Sequence, residues 1–161
     1  MRILGVDPGY AIVGVGCIDY EGNRFKTVEY GAITTEANED MFDRLKIIYD
    51  EMCQWISRVK PDAFAVEELF FHSNQKTAIY VAQARGALVL AAKNHNVPIY
   101  EYTPLQVKQA VVGYGRAEKK QVQQMTKAIL NLSEIPKPDD TADALAIAVC
   151  HAHSGGSLLW R

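Results

Sequence analysis

At 161 residues, with 48% apolar and 22% charged side chains, the chain has the size and composition of one ordinary soluble globular domain. Its apolar runs, such as Ala87 to Ala92, fall far below the roughly 18 residues needed to cross a bilayer, which excludes a membrane-spanning helix. Net charge −2 gives no overall polybasic character, and Cys17, Cys53 and Cys150, an odd number without CxxC spacing, are expected as reduced thiols.

Arg2 to Asp7 reads as a short buried strand ending at Pro8-Gly9, and Ala11 to Asp19 as its antiparallel return. The start of the chain has no charged lead followed by a long apolar stretch and a cleavage site, so a cytoplasmic location is expected. Glu21-Gly22-Asn23 is a turn signal, and Phe25, Val28, Tyr30 and Ile33 mark a third strand, completing a meander. Met41, Leu45, Ile48, Met52, Trp55 and Val59 recur at steps of four and three, the apolar stripe of an amphipathic helix stopped by Pro61. Asp62 to Glu67 forms a fourth strand carrying Glu67 and Glu68 at its carboxyl end. Gln75 to Asn94 is a second helix dense in small residues, which suit close packing on the sheet or a twofold dimer seam. Val97 to Tyr102 is a fifth strand, and Thr103-Pro104 starts a helix, cap then proline, that runs to Gly113. Helices over Glu118 to Leu132 and Asp140 to about Ala152 follow. One domain over residues 1–153 and a flexible tail over 154–161, with Leu158-Leu159-Trp160 near its end, are expected. No internal repeat or linker divides the chain.

Four acids stand at ends of these elements. Asp7 closes the first strand and Glu67 the fourth, and a strand reached from the meander through a helix can lie beside strand one. Asp140 and Asp143 lie three apart on the last helix and share a face near its amino end. Singly, each has an ordinary explanation: an Asp-Pro-Gly turn, a strand end, a helix cap and a first-turn acid. Together they would repel one another unless a cation or raised pKa values relieved them. Hard carboxylate oxygens suit magnesium, and metal-assisted phosphodiester hydrolysis requires several of them. Charge segregation fits a nucleic-acid partner: between Leu69 and Ser133 eight basic residues face two acids, although a merely solvated set of lysines looks the same.

The ordered set Gly5-Val6-Asp7-Pro8-Gly9, Gly14-Val15-Gly16, Ala65-Val66-Glu67-Glu68, Gln83-Ala84-Arg85-Gly86, Val107-Lys108-Gln109, Ala117-Glu118-Lys119 and Asp140-Thr141-Ala142-Asp143 resembles the RuvC family of Holliday junction resolvases. The likeness extends in order from residue 1 to about 153. It implies an α/β ribonuclease-H-like fold, a five-stranded mixed sheet of three antiparallel strands and two joined through helices, flanked by helices. It also implies a homodimer with two active sites, acting in homologous recombination and DNA repair. Each active site would use two magnesium ions, with manganese as a substitute, to place paired symmetric nicks in strands of like polarity. A RuvA-RuvB branch-migration complex is the implied partner. By position, the family's catalytic and metal-binding acids fall on Asp7, Glu67, Asp140 and Asp143; some relatives carry histidine at the position of Asp140.

Lys108 and Lys119 match family lysines near DNA, and Lys120 is added here beside them. Phe70 matches an aromatic position at the junction centre, where a ring stacks on an unpaired base, and Phe71 is its packing neighbour. Arg85 and Arg116 lie in matched motifs and are expected on DNA, though an arginine on a helix equally pairs with an acid of its own fold. His72, His95, His151 and His153 form no metal-ligand pattern. Asp7-x-Gly9 with further glycines also resembles the phosphate loop of sugar-kinase and actin-like ATPases, which normally have two lobes.

Overall fold

Period-two alternation on the central strands sorts the side chains onto two helix layers. The computed structural model describes residues 1–69 and 75–155. Strands β1 (Arg2–Asp7), β2 (Ile12–Glu21) and β3 (Arg24–Thr34) form the antiparallel meander. Helix α1 (Met41–Val59) leads to β4 (Ala63–Glu67), which pairs parallel with β1, and α2 (Gln75–Asn94) leads to β5 (Ile99–Tyr102), parallel with β4. The order across the sheet is β3-β2-β1-β4-β5. Helices α3 (Pro104–Val112), α4 (Lys119–Ile129) and α5 (Asp139–Ser154) complete the described chain. This is the five-stranded mixed sheet expected from the sequence.

Leu4, Val6, Val13, Val15, Phe64 and Val66 point to α1 and α2, where Ile48, Met52, Ala84 and Leu88 bury against them. Ile3, Ala65 and Tyr102 point the other way, toward α3, α4 and α5. Alternation along β2 sends Val13, Val15 and Cys17 into the first core and Ile18 into the second, and a register shift at Cys17/Ile18 leaves Val28 of β3 as the extra, unpaired residue. Helix α5 is the central element of its layer, buried nearly throughout from Thr141 to Ala152.

Local chemistry sets the boundaries. The Asp40 side chain accepts from Phe42 N at the start of α1, and Lys60, left-handed at φ 48, ends it before Pro61. Thr103 and Gln106 form a reciprocal capping box with Pro104 at the first helical position, and left-handed Gly113 closes α3. Several expected boundaries move by one to three residues. β5 begins at Ile99 rather than Val97, because Val97 N bonds back to the Ala92 carbonyl and finishes the turn after α2. α4 stops at Ile129 rather than Leu132, with Asn131 left-handed just beyond it. α5 begins at Asp139 and runs to Ser154, whose hydroxyl donates to the Cys150 carbonyl, so the first residue assigned to the tail belongs to the helix. The rest of that tail beyond Gly155 lies outside the described residues.

Candidate active site

Asp7 and Glu67 share the α5 side of the sheet by alternation, Asp7 following Ile3 and Gly5, Glu67 following Ala65. The parallel register, Gly5 with Ala65 and Val6 with Val66, brings both to the carboxyl ends of adjacent central strands. Glycines then let α5 descend on them. A Cβ on Gly5 would lie 2.8 Å from Ala148 N and closer still to the Ala144 carbonyl, and one on Gly16 would lie 2.7 Å from Leu145 Cδ2. At Gly14, which pairs with Asp7, a Cβ would overlap the Asp140 carbonyl. The amino end of α5 therefore rests on backbone beside Asp7. Fully buried Thr141 fixes it there, its hydroxyl donating to the Gly31 carbonyl of β3 at 3.1 Å.

Four acids from three segments thus meet. Burial pushes the Asp7 carboxyl well above the usual carboxylate range, and the charges of Glu67, Asp143 and Asp140 push it further. Glu67 is raised by burial and then by Asp143, against the opposing pull of Lys108 and Lys119. Asp143 is raised by burial, and Asp140 adds to this while Lys119 opposes it. Burial first and neighbouring carboxylates second thus disfavour the charged forms of these acids, an imbalance that positive charge would relieve. Among the described residues no three His, Cys, Asp or Glu side chains are already drawn around one ion position. A positive charge stands nearby instead: Lys119 Nζ lies 3.4 Å from Asp143 Oδ2 and 3.8 Å from Asp139 Oδ2. Burial works against its ammonium, but Asp143, Asp139 and Asp140 outweigh that and raise its pKa. The donor set is all hard carboxylate oxygen, the chemistry that suits magnesium or manganese.

A pocket of about 260 Å³ opens beside the acids between α3, α4 and α5, with Glu67, Asp143, Lys108 and Lys119 around an apolar floor that includes Val107, Val122 and Ile147. Lys108 and Lys119 are thereby brought to the cluster. Lys120, in the first turn of α4, and Arg116, in the preceding loop, are exposed and do not line this pocket. Arg85 goes elsewhere: its Nε donates to the Glu67 carbonyl at 3.2 Å and its Nη2 pairs with Glu101 at 2.8 Å. The alternative reading of that arginine, a pair with an acid of its own fold, describes what is seen. Phe70, Phe71 and His72 lie outside the described residues. His151 is buried, shares a 2.6 Å hydrogen bond with the Tyr102 hydroxyl and is held low by burial. His153 bonds the Ala110 carbonyl, so both serve packing.

Sequence reasoning missed two supports. Gly5, Gly14 and Gly16 stand in recognisable sequence motifs, but their partner, a helix more than a hundred residues away, has no local signal. The second support is a braced loop after Asp7. Arg44, almost buried on α1, donates to Thr35 Oγ1 at 2.8 Å and lies over the Tyr10 ring, while the Thr35 hydroxyl bonds the Tyr10 carbonyl. Tyr10 in turn packs edge-on against Tyr80 of α2.

The fold and this acid cluster define the class: a ribonuclease-H-like α/β domain with carboxylates gathered at the sheet centre. The family model for Crossover junction endodeoxyribonuclease RuvC matches residues 3–151, and the chain belongs to the RuvC family. It is 62% identical over 155 residues to the crossover junction endodeoxyribonuclease RuvC of Alkaliphilus oremlandii, covering 96% of this chain and 94% of that one. The Thermus thermophilus RuvC structure superposes with a TM-score of 0.90 at 38% identity, covering 97% of this chain and 96% of that one. T. thermophilus RuvC in complex with a Holliday junction substrate superposes at 0.89 with 36% identity over the same shares.

Proposed function

We propose that the protein is a structure-selective endonuclease that resolves four-way DNA junctions in homologous recombination and DNA repair. The observation that carries this reading is the placement of Asp7 and Glu67 at the carboxyl ends of paired central strands, with the amino end of α5 and its Asp140 and Asp143 seated on Gly14 beside them, in a chain that matches the RuvC family along nearly its whole length. Relatives of that name, one of them in complex with a Holliday junction, support the choice of substrate.

Asp7, Glu67, Asp140 and Asp143 would hold two magnesium ions, or manganese in their place. Ions held by these carboxylates would supply activation of water and stabilisation of the leaving 3′ oxygen, and the expected products would carry 5′-phosphate and 3′-hydroxyl ends. The protein's own groups do the rest. Asp7 and Glu67, fixed on adjacent strands, define one wall of the site, and the α5 pair closes over it. Lys108 and Lys119 set positive charge beside the acids, where a scissile phosphate needs neutralising; Lys120 and Arg116 extend that charge along the approach of the strand. Phe70, outside the described residues, is assigned the junction centre by family position only.

Paired symmetric nicks in strands of like polarity require two sites related by a twofold axis, hence a homodimer. Helix α2 supports this. Ile79 and Leu90 on it are 57% and 53% exposed, and a Cβ at Gly86 between them would meet nothing within 4 Å, so among the described residues nothing covers this stripe of small and apolar residues. The nuclease domain would extend from residue 1 to the end of α5 at Ser154, working in the cytoplasm with a RuvA-RuvB branch-migration complex. The test is nicking of a synthetic four-way junction in magnesium against linear duplex and RNA. The reading predicts strong preference for the junction, and equal cleavage of all three would overturn it.

A further inference from the structure

Glu67 sits where the sheet frays. Both neighbouring strands leave at prolines, β1 at Pro8 and β5 at Pro104, and proline offers no N–H to continue a ladder. The last backbone bond across β4 and β5 runs from Glu68 N to the Tyr102 carbonyl. At this point the Glu67 carbonyl takes a donor from another layer, Arg85 Nε of α2 at 3.2 Å. The same guanidinium pairs through Nη2 with Glu101 of β5 at 2.8 Å, and its side chain is only 18% exposed. One rigid fork therefore ties α2, the end of β4 and the end of β5 together at the residue that carries a cluster carboxylate.

We propose that Arg85 is a positioning residue for Glu67, fixing the end of β4 so that its carboxylate stays in register with Asp7 and the α5 pair, rather than a contact to DNA. This rests on the nuclease reading above. A charge-assisted bond to a carbonyl at a strand end removes the freedom that the missing ladder would otherwise leave. Lysine cannot reproduce it, because an ammonium lacks the planar fork that spans two acceptors in fixed geometry.

The test compares Arg85→Gln, Arg85→Lys, Glu101→Gln and the double Arg85→Gln/Glu101→Gln variant with the wild-type chain. Three quantities are measured: junction affinity without divalent metal, single-turnover nicking at saturating enzyme, and the magnesium midpoint of the thermal shift. For Arg85→Gln, affinity stays within about twofold while nicking falls roughly 10-fold to 100-fold, the effect of sub-ångström to ångström misplacement. The magnesium midpoint moves to higher concentration. Arg85→Lys falls between Arg85→Gln and wild type, and the double variant is no worse than Arg85→Gln because both act through one contact. Wild-type nicking and an unchanged magnesium midpoint in Arg85→Gln would overturn the inference. So would a loss confined to junction affinity, which would return Arg85 to the DNA surface. If Arg85→Gln does not fold, the same outcomes are read on Arg85→Lys. A wild-type chain that fails to nick junctions overturns the nuclease reading itself, and a magnesium midpoint unmoved by either Arg85 substitution overturns the positioning role separately.

Discussion

Gly14→Ala places one methyl group between β2 and the amino end of α5. The new Cβ would lie 3.0 Å from Thr141 N and much closer to the Asp140 carbonyl, where ordinary contact begins near 3.4 Å. These neighbours are backbone, so no side-chain rotation relieves them, and the first turn of α5 must withdraw by about 1 Å or more, since interiors are close-packed. Overpacking of this kind costs about 1–3 kcal/mol, and a backbone obstacle puts it at the upper end. The displacement carries Asp140 and Asp143 away from Asp7 and Glu67, which predicts a fall in junction nicking of roughly 100-fold. Urea denaturation supplies the stability change, read as a lower midpoint at unchanged slope. Gly86→Ala, where a Cβ meets nothing within 4 Å, is the control and should leave the isolated domain as stable or more stable. A Gly14→Ala protein with wild-type midpoint and wild-type nicking would refute the close-approach reasoning.

Asp7→Asn should abolish nicking, largely keep junction binding, and raise the metal-free melting temperature at neutral pH. The direction follows from linkage: the folded-state pKa values of Asp7, Glu67 and Asp143 are raised. Their contribution is therefore fully present below the ordinary carboxylate range and is lost as pH rises through the folded values. Melting curves of the metal-free protein from acid to neutral pH should show this loss diminished in Asp7→Asn and offset by magnesium in the wild type; identical pH profiles for the two proteins would contradict it. Lys119→Met should reduce nicking by roughly 10-fold or more through loss of charge-assisted contacts. Junction affinity should also become less salt-dependent, as measured by anisotropy across a salt series. Gly86→Trp should weaken self-association in sedimentation while leaving the circular dichroism spectrum intact, and an unchanged dimer would remove α2 from the seam.

Local signals were enough for most elements. The stripe from Met41 to Val59, the Thr103-Pro104 start and the Gly113 stop each have a nearest-neighbour cause, and they fall where expected. Boundaries failed where the deciding bond is one residue's choice between two local partners, as when Val97 joins the turn after α2 instead of the strand. The four acids were readable as strand-end and helix-start residues, and the β1–β4 pairing follows from connectivity. Their convergence was not readable from spacing, because it depends on Gly5, Gly14 and Gly16 accepting a helix from the far end of the chain. Arg85 shows the same limit: its motif marked it, but its partners, Glu67 and Glu101, are 18 and 16 residues away, and only the fold brings them to one guanidinium.

The most direct measurement is the cleavage pattern of a four-way junction with a fixed crossover, each strand labelled in turn, in magnesium, with Asp7→Asn beside the wild type. Paired nicks at symmetric positions in two strands of like polarity, with religatable ends and none from Asp7→Asn, are the predicted result. Unpaired cuts, cleavage of linear duplex at the same rate, or undiminished nicking by Asp7→Asn would contradict it.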